Sequence, residues 1–509
     1  MTRFLPALAI VLLAIFVRVN FTILPVPWPD EALFSSPASE LAEGRAFSTP
    51  VLAGLIYGMD TATLWNCPLH MVLLAQVYRL TGESMLAGRM FSLFLGFAAL
   101  LLFFLLCRRV VSPGIAGIGT IVLALDPVFQ RAANTIRMDI LTLLLFFTAP
   151  PTTTKPKNNS NKKQTPPTFL TGITAGLAAI SHPFAVILAP VLLLFCLPDL
   201  KRTGAAATGA AAGFAPWGIY ILSNLPIFEV QFIEQLRRKA ELAKMVTAGE
   251  TRGLHHVYFA QYGFFDGSWP AMIAGALLYG FVLLLCALYI FRRFRQAVRE
   301  TNEKERIRDL LVVSFLLITA FAYFSSEGWY VVYGDAFLIL AACIFTGGAI
   351  AESGSGLLAL ARKAAMFALP LAGIAFAGLT VYFYARNASI DNQTETRRAL
   401  TASVAAVSEC NAVYLRVRPD PYFELRALAP AVRVYEFIPG KLDVKEEHQD
   451  VLYRTWDSTE CFLLDQHDAW EPRLTEYLER NKDQFQITSV NRYAPLNLSV
   501  RLFRRQRVH

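Results

Sequence analysis

The chain has 509 residues, of which 55% are hydrophobic and only 17% are charged. Its mean hydropathy is positive, at +0.42, which excludes an ordinary soluble domain and indicates a polytopic membrane protein. The formal net charge of +8 is largely explained by basic loops between apolar runs. These loops carry no basic-aromatic pattern, so a nucleic-acid partner is not expected.

Apolar runs long enough to cross about 30 Å of hydrocarbon recur from Phe4 to Tyr384 and then stop. No small-x-small cleavage site follows the first run, so residues 1–24 are interpreted as an uncleaved span. The positive-inside rule assigns the basic clusters between the runs to the cytoplasm. These clusters are Arg108-Arg109, residues 155–163, Lys201-Arg202, residues 292–308 and Arg362-Lys363.

About eleven spans satisfy this rule, with a cytoplasmic N-terminus and an extracytoplasmic C-terminus. The predicted spans lie near residues 4–24, 86–107, 114–130, 139–150, 168–181, 184–198, 204–222, 269–291, 309–325, 330–348 and 364–384. The predicted fold is therefore an α-helical polytopic membrane domain, residues 1–384, followed by a C-terminal domain, residues 385–509.

Two adjacent carboxylates, Asp30 and Glu31, follow Trp28-Pro29 where the first span emerges into water. Placing acidic side chains at the mouth of a membrane helix costs free energy, which favours a functional role for them. They equally fit a structural role, in which Asp30 caps a helix that starts at Glu31 and Glu31 complements the helix dipole. The local pattern alone does not separate the two interpretations.

Three further segments complete the membrane part. Residues 65–78 are apolar but are predicted to lie in the outer interface, because a crossing there would place Arg108-Arg109 outside. Residues 151–167 are basic and rich in Pro and Asn, which predicts a disordered cytoplasmic loop. Residues 223–268 form a long outer connection whose aromatic spacing fits an interfacial amphipathic helix or a plain surface helix.

This topology gathers polar residues on the outer face from distant parts of the chain. They are Asp30, Glu31, Asp60, Asn66, Arg131, Arg137, Asp139 and His182. Arg137 and Asp139 also fit a snorkelling cation and a helix cap, and His182 fits a structural hydrogen-bonding role. Tyr330 and Tyr333 lie at another outer helix mouth, where an aromatic belt is the favoured interpretation and substrate contact the alternative.

From Ala385 onward the hydrophobic period shortens, and alternating helices and strands predict a small extracytoplasmic α/β domain. The predicted strands are residues 412–417, 432–437, 461–464, 486–490 and 498–503. The domain lacks a phosphate-binding Gly loop and a nucleophile elbow, which favours a recognition or packing module. Cys410 and Cys461 either form a disulfide there or remain free thiols.

Three stretches of the first 150 residues resemble the GT-C superfamily of polyprenyl-phosphate-sugar-dependent glycosyltransferases, such as the protein O-mannosyltransferases and the lipid A aminoarabinose transferases. They are WPDEALFSSPASELAEGRAFSTP, CPLHMVLLAQVYRLTGESMLAGR and ALDPVFQRAANTIRMDIL. The resemblance implies a membrane enzyme that moves a sugar from a polyprenyl-phosphate donor to a protein, lipid or glycan acceptor. The remaining spans match by general hydropathy.

The resemblance also implies roles for individual residues. Asp30 matches the first-loop catalytic base, Glu31 its acidic neighbour and Asp139 the acid of the second outer loop, while Arg137 and Arg131 are expected to bind the donor phosphate. The usual Pro-Pro-Leu motif is Cys67-Pro68-Leu69 here, and Asn66 stands where some relatives carry a glutamate linked to metal binding. Dependence on a divalent metal cation is therefore open.

The expected reaction is single displacement with inversion, in which Asp30 deprotonates the acceptor and Arg137 stabilises the departing phosphate. The expected location is the plasma (inner) membrane, in contact with membrane lipids, with the active site extracytoplasmic. Two rival classes remain: a transporter or flippase for a lipid-linked anion, and a membrane-anchored binding protein acting through residues 385–509. The Trp-Trp-Asp motif of oligosaccharyltransferases is absent, since residues 453–457 offer only Trp456 before Asp457.

Overall fold

The computed structural model of the protein describes residues 26–148, 166–187, 200–237, 240, 269–295, 303–324, 330–347, 363–389, 392–436, 446–465 and 472–506. Several predictions fall wholly or mostly outside these residues. They are the first span at 4–24, the loop at 151–167, the span at 184–198 and most of the connection at 223–268.

The described part of the membrane region is mainly helical, with an irregular segment at residues 43–68. Its helices are α1 (Pro29–Ala42), α2 (Leu69–Thr81), α3 (Met85–Val110), α4 (Pro113–Leu125), α5 (Pro127–Ala133), α6 (Asp139–Thr148), α7 (Pro166–Ala179), α8 (Leu200–Leu222), α9 (Leu225–Phe228), α10 (Trp269–Arg295), α11 (Glu303–Phe324), α12 (Val331–Thr346) and α13 (Ala368–Ser389).

Within the described residues, three helices are long and apolar enough to cross a membrane: Met85–Val110, Leu200–Leu222 and Lys363–Val381. Four shorter apolar helices also occur, at Asp139–Thr148, Thr168–Ala179, Ala276–Phe291 and Val331–Thr346. The predicted helices are thus confirmed at these positions, whereas the count of eleven spans stays a prediction.

The predicted span at residues 114–130 is broken rather than continuous. Helices α4 and α5 meet at a bend of 68°. Pro127 cannot donate a backbone hydrogen bond, and Asp126 turns out of the helix to accept from the N–H groups of Val128 (3.0 Å) and Phe129 (3.2 Å). The bend places the end of α5, with Arg131, beside the start of α6.

The described residues between 392 and 506 contain four α-helices and a five-stranded sheet. The helices are α14 (Asn392–Val407), α15 (Tyr422–Leu428), α16 (Gln449–Ser458) and α17 (Pro472–Arg480), and the strands are β1 (Ala412–Arg416), β2 (Arg433–Glu436), β3 (Cys461–Leu464), β4 (Phe485–Tyr493) and β5 (Leu498–Arg505). The strand order is β2-β1-β3-β5-β4. Strand β1 runs parallel to both β2 and β3, and β5 runs antiparallel to β3 and β4. All five predicted strands are confirmed.

A disulfide joins Cys410, just before β1, to Cys461 at the start of β3. It settles the choice that the sequence left open. The other cysteines among the described residues, Cys67, Cys107, Cys286 and Cys343, are buried free thiols.

The sheet does not form a separate core. Its central residues, Val413 and Leu415, belong to one buried apolar cluster with Leu33 and Phe34 of α1 and Leu74 of α2. This shared core fixes the C-terminal sheet against the first outer loop, because apolar surface on both sides is removed from water together.

Polar contacts reinforce this docking. Gly54 has a φ of +73°, and its carbonyl accepts a hydrogen bond from Thr455 Oγ1 at 2.8 Å. A Cβ atom at Gly54 would collide with that hydroxyl, so both its backbone conformation and the close approach favour glycine. Glu83, between α2 and α3, accepts from the Tyr422 hydroxyl at 2.8 Å.

Candidate active site

Helix α1 begins at Pro29 with Trp28 as its N-cap residue, so Asp30 lies within the first turn and does not cap the helix as one sequence interpretation held. The capping function belongs to Glu31, whose Oε2 accepts from the Trp28 backbone N–H at 3.3 Å. This is one half of a capping box, in which the third helical residue reaches back to the N-cap, while the Glu31 N–H donates to the Trp28 backbone carbonyl at 2.9 Å.

Glu31 is only 1% exposed and is held from three directions. Its Oε1 accepts from Arg89 Nε at 2.9 Å and from the Ile136 backbone N–H at 3.1 Å. Its Oε2 also accepts from Arg89 Nη2 at 2.7 Å. Glu31 therefore ties the start of α1 to α3 and to the loop before α6.

Arg137 lies between the two other predicted acids. Its Nη1 donates to Asp30 Oδ2, and its Nε donates to Asp139 Oδ2 at 2.9 Å. The side chains of Arg137 and Asp139 are 7% and 1% exposed, whereas that of Asp30 is 22% exposed. The three charges predicted to converge are in direct contact, and Asp30 is the most solvent-exposed of them.

Phe34 supports this arrangement from α1. The Arg137 guanidinium carbon lies 5.8 Å from the centre of the Phe34 ring. The same ring packs edge-on against His70 of α2, at a centroid distance of 5.9 Å. An aromatic face beside a buried guanidinium stabilises the charge and limits its rotation.

Arg131, near the end of α5, interacts electrostatically with Arg137, Asp30 and Asp139. It thus belongs to the same charged group. The two arginines balance the charge of the two aspartates, so an anion that binds to the arginines does not meet a large net negative charge.

Tyr333 and His182 form the wall behind Asp139. The Tyr333 hydroxyl donates to Asp139 Oδ1 at 3.3 Å, and its ring is stacked on Phe184 at 4.7 Å. His182 Nδ1 accepts from the Phe184 backbone N–H at 2.9 Å, and its ring packs edge-on against Tyr330 at 4.9 Å. The structure therefore brings all three predicted aromatic or imidazole side chains to this wall.

Asn66 and Asp60 are placed differently. Asn66 is buried, with its Oδ1 accepting from the Cys67 backbone N–H at 2.8 Å and its Nδ2 directed to Met138 Sδ at 3.8 Å. It therefore lies beside the residue that separates Arg137 from Asp139. Asp60 is exposed in a turn, and no contact that the structure describes joins it to the charged group.

Among the described residues, no group of three or more His, Cys, Asp or Glu side chains is arranged to hold a metal ion. Arg137 contacts both Asp30 and Asp139, and the Asn66 carbonyl oxygen already accepts from backbone. The residues present do not fit a metal site in this arrangement, so no step below passes through a metal.

Sequence reasoning missed two buried side chains near the charged group. Arg89 is a cation early in a predicted span, a position that itself marks a functional or structural partner. His70 is fully buried, and neither ring nitrogen has a hydrogen-bond partner among the described residues. Burial lowers the pKa of His70 to about 4, so its imidazole is neutral at pH 7.

The C-terminal sheet contributes charge to the same region. Arg418, in the loop after β1, lies with its guanidinium carbon 3.7 Å from the centre of the Trp28 ring. Two buried acids follow it, Asp420 and Glu436, which are 3% and 0% exposed. Burial raises the pKa of Asp420 to about 7 and that of Glu436 well above its usual range. Asp420 raises the pKa of Glu436 further, whereas the interaction with Glu436 lowers the pKa of Asp420.

No family model and no curated protein matches this chain. Among solved structures, the crystal structure of ArnT from Cupriavidus metallidurans bound to undecaprenyl phosphate is similar, with a TM-score of 0.55 and 12% sequence identity, over 99% of this chain and 98% of that one. The archaeal oligosaccharyltransferase AglB from Archaeoglobus fulgidus, in complex with an inhibitory peptide and a dolichol-phosphate, gives a TM-score of 0.49 and 11% identity, over 90% of this chain and 69% of that one.

The likeness to AglB is too distant to carry an argument, and the likeness to ArnT concerns the fold. It extends over the C-terminal sheet as well as the helices, because nearly the whole of both chains is covered. Together with the apolar helices, it identifies an integral membrane protein. In overall fold the chain is similar to ArnT over nearly its whole length.

Proposed function

We propose that the protein is an integral membrane glycosyltransferase that moves a sugar from a polyprenyl-phosphate donor to an acceptor on the extracytoplasmic face. The observation that carries this proposal is the contact of Arg137 with both Asp30 and Asp139, with Asp30 the more exposed acid. Sugar transfer to a hydroxyl needs a base that the acceptor can reach and a cation for the departing phosphate, and this group contains both.

In the proposed reaction, Asp30 takes the proton of an acceptor hydroxyl as its oxygen bonds to the anomeric carbon. The bond from that carbon to the phosphate oxygen breaks, and polyprenyl phosphate leaves with the electron pair. Arg137 and Arg131 stabilise the charge that develops on the phosphate. Attack from the face opposite the leaving group inverts the anomeric carbon.

The other side chains act through these groups. Asp139 and Tyr333 orient Arg137 from behind, since Asp139 bonds both of them. Glu31, bonded to Arg89 and to the Trp28 and Ile136 backbones, holds the start of α1. A donor phosphate competes with Asp30 for Arg137, and its binding therefore releases the carboxylate to serve as the base.

The topology belongs to the same proposal. We place the protein in the plasma (inner) membrane with about eleven spans, a cytoplasmic N-terminus and an extracytoplasmic domain of residues 385–509. A lipid-linked donor lies in the membrane and an acceptor in the aqueous phase lies outside it, so a site at a helix mouth is accessible to both. The similarity in fold to ArnT, whose structure holds undecaprenyl phosphate, supports this class of donor.

The test uses membranes that contain the full chain and radiolabelled polyprenyl-phosphate sugars. The wild type should move label into protein, lipid or glycan, with inversion at the anomeric carbon. Asp30→Asn should lower transfer by about 10² to 10⁴. Asp483→Asn, a matched change of an exposed aspartate in the C-terminal part, should leave it unchanged.

Two outcomes would contradict the proposal. Retention of configuration with a trapped glycosyl-enzyme would exclude single displacement. Movement of the intact lipid-linked sugar across the bilayer without transfer, at equal rates in the wild type and Asp30→Asn, would instead favour the transporter hypothesis.

A further inference from the structure

The segment that precedes Asp30 is held by the C-terminal part of the chain. Val26 packs against Ala399, Tyr493 and Leu498. The Pro27 carbonyl accepts a hydrogen bond from the Asp420 backbone N–H at 3.1 Å. Trp28 lies against the Arg418 guanidinium at 3.7 Å. Three consecutive residues of the first outer loop therefore contact the sheet domain before the chain enters α1.

Arg418 projects from a rigid part of that domain. Strand β1 ends at Arg416 and pairs on both sides, with β2 and β3. The loop after it closes when Asp420 Oδ1 accepts from the Tyr422 backbone N–H at 2.9 Å, which starts α15. The guanidinium is therefore supplied by a short loop that is held at both ends, by the central strand β1 and by the start of α15.

The Arg418–Trp28 contact is a cation–π interaction. A guanidinium over an aromatic face is favourable, and indole is the side-chain ring that attracts cations most strongly. The distance of 3.7 Å is the shortest among the guanidinium–ring contacts in the described residues. Arg418 also interacts electrostatically with Asp30 and with Asp465 at the end of β3.

Asp30 is thus held between two anchors. On one side Glu31 binds Arg89 and fixes the helix start to α3. On the other side Trp28, two residues before Asp30, is fixed to the sheet domain by Arg418. Without the Arg418–Trp28 contact, the C-terminal part holds this segment only through Val26 and the Pro27 carbonyl, so the position of Asp30 is less firmly fixed. A misplacement of about 1 Å can cost about 10² in rate.

We propose that Arg418 is a positioning residue for Asp30, so that the C-terminal sheet domain is part of the catalytic apparatus. The inference rests on the proposed transferase function. Arg418 acts through Trp28 and touches neither donor nor acceptor. The expected signature is therefore a lower kcat with little change in the KM of either substrate.

The experiment compares Arg418→Ala, Arg418→Met, Arg418→Lys and Trp28→Ala in the full-length protein. Arg418→Ala and Arg418→Met should lower kcat by about tenfold or more, with each KM within about twofold of wild type. Arg418→Lys retains a cation over the ring and should recover part of the rate. Arg480→Ala is the control, because it removes a 6.0 Å guanidinium contact to Tyr453 in the same domain and should leave kcat unchanged.

A double-mutant cycle separates positioning from substrate binding. If Arg418 acts through Trp28, the Trp28→Ala/Arg418→Ala double variant should be no slower than the slower single variant. Multiplied single effects, or a raised KM for the donor at unchanged kcat, would overturn the inference, because Arg418 would then bind the donor directly.

A second readout does not depend on activity. Hydrogen–deuterium exchange of peptides covering residues 26–36 should be faster in Arg418→Met than in the wild type, and unchanged in Arg480→Ala. Failure of the wild type to transfer any label would contradict the proposed function, while exchange would still test the anchor. An active wild type with equal exchange and equal kcat in Arg418→Met would overturn this inference alone.

Discussion

Replacing Glu31 with alanine removes the acceptor of four hydrogen bonds, two from Arg89 and one each from the Trp28 and Ile136 backbones. The Arg89 side chain is only 10% exposed, so in the variant its charge stays buried without this carboxylate. The free energy of unfolding therefore falls for two reasons: the hydrogen bonds of Glu31 are lost, and the buried Arg89 cation is left without the carboxylate that compensates its desolvation.

The size of the effect follows from this burial. Breaking a buried ion pair by removing one partner costs about 3–5 kcal/mol. With an unfolding entropy of about 2.1 cal/mol/K per residue, such a loss lowers the Tm of a chain of this length by about 3–5 °C if it unfolds as one unit. Glu31→Gln keeps the shape and part of the hydrogen bonding, so its effect should be smaller.

The assay is thermal unfolding of the detergent-solubilised protein, followed by size-exclusion chromatography of heated samples. Glu43→Ala is the matched control, because Glu43 ends the same helix and pairs with Arg45 at the surface, where both side chains are nearly half exposed. Exposed ion pairs contribute about 0–1 kcal/mol, so this variant should melt within about 1 °C of the wild type.

A second comparison isolates the pair itself. Arg89→Met combined with Glu31→Gln removes both charges, so the double variant should be more stable than the sum of the single effects predicts. A Glu31→Ala variant that melts with the wild type, or strictly additive single and double effects, would refute the role of Glu31 as a buried clamp.

Two further predictions concern the C-terminal part. Burial raises the pKa of Asp420 from 3.8 to about 7, so the folded state holds its proton more tightly and the stability that the protonated form contributes is lost as pH rises from about 4 to 7. At 1.36 kcal/mol per pH unit, the loss of stability between pH 4 and pH 7 amounts to at most about 4 kcal/mol. The Tm of Asp420→Asn should therefore match that of the wild type near pH 4 and exceed it above pH 7. Parallel profiles of Tm against pH in the two proteins would contradict a raised pKa of Asp420. The disulfide between Cys410 and Cys461 spans 51 residues, and its reduction should destabilise the domain by about 4 kcal/mol; protease digestion with and without reductant measures this, and equal resistance after verified reduction would count against it.

The sequence predicted much of this architecture because its signals are local. Strand positions followed from short apolar alternations bounded by turn residues, and helices followed from long apolar runs. The break at Asp126 was also encoded locally, in an aspartate followed by Pro127, but the apolar run around it concealed the bend. Hydropathy averages over a window and does not register a single capping residue.

The candidate site was predicted in part. Asp30, Arg137 and Asp139 were expected together, and they are in contact. The partner of Glu31 was not foreseen, since Arg89 lies 58 residues away and no repeat or spacing links the two. His70 and Arg418 were missed for the same reason. The contact of His70 with Phe34 and that of Arg418 with Trp28 arise only when separate elements pack together.

By itself the sequence indicated a membrane protein with an α/β region in its C-terminal part, and it predicted which residue types lie at the helix mouths. Those properties depend on transfer of side chains between water and an apolar phase, and composition and short-range order express them directly. Only the tertiary structure decided that Glu31 is a clamp, that Arg137 bridges two acids and that the C-terminal sheet shares a core with α1. Ion pairs and docked surfaces require approach within about 4 Å, and for residues distant along the chain that approach depends on how whole elements pack.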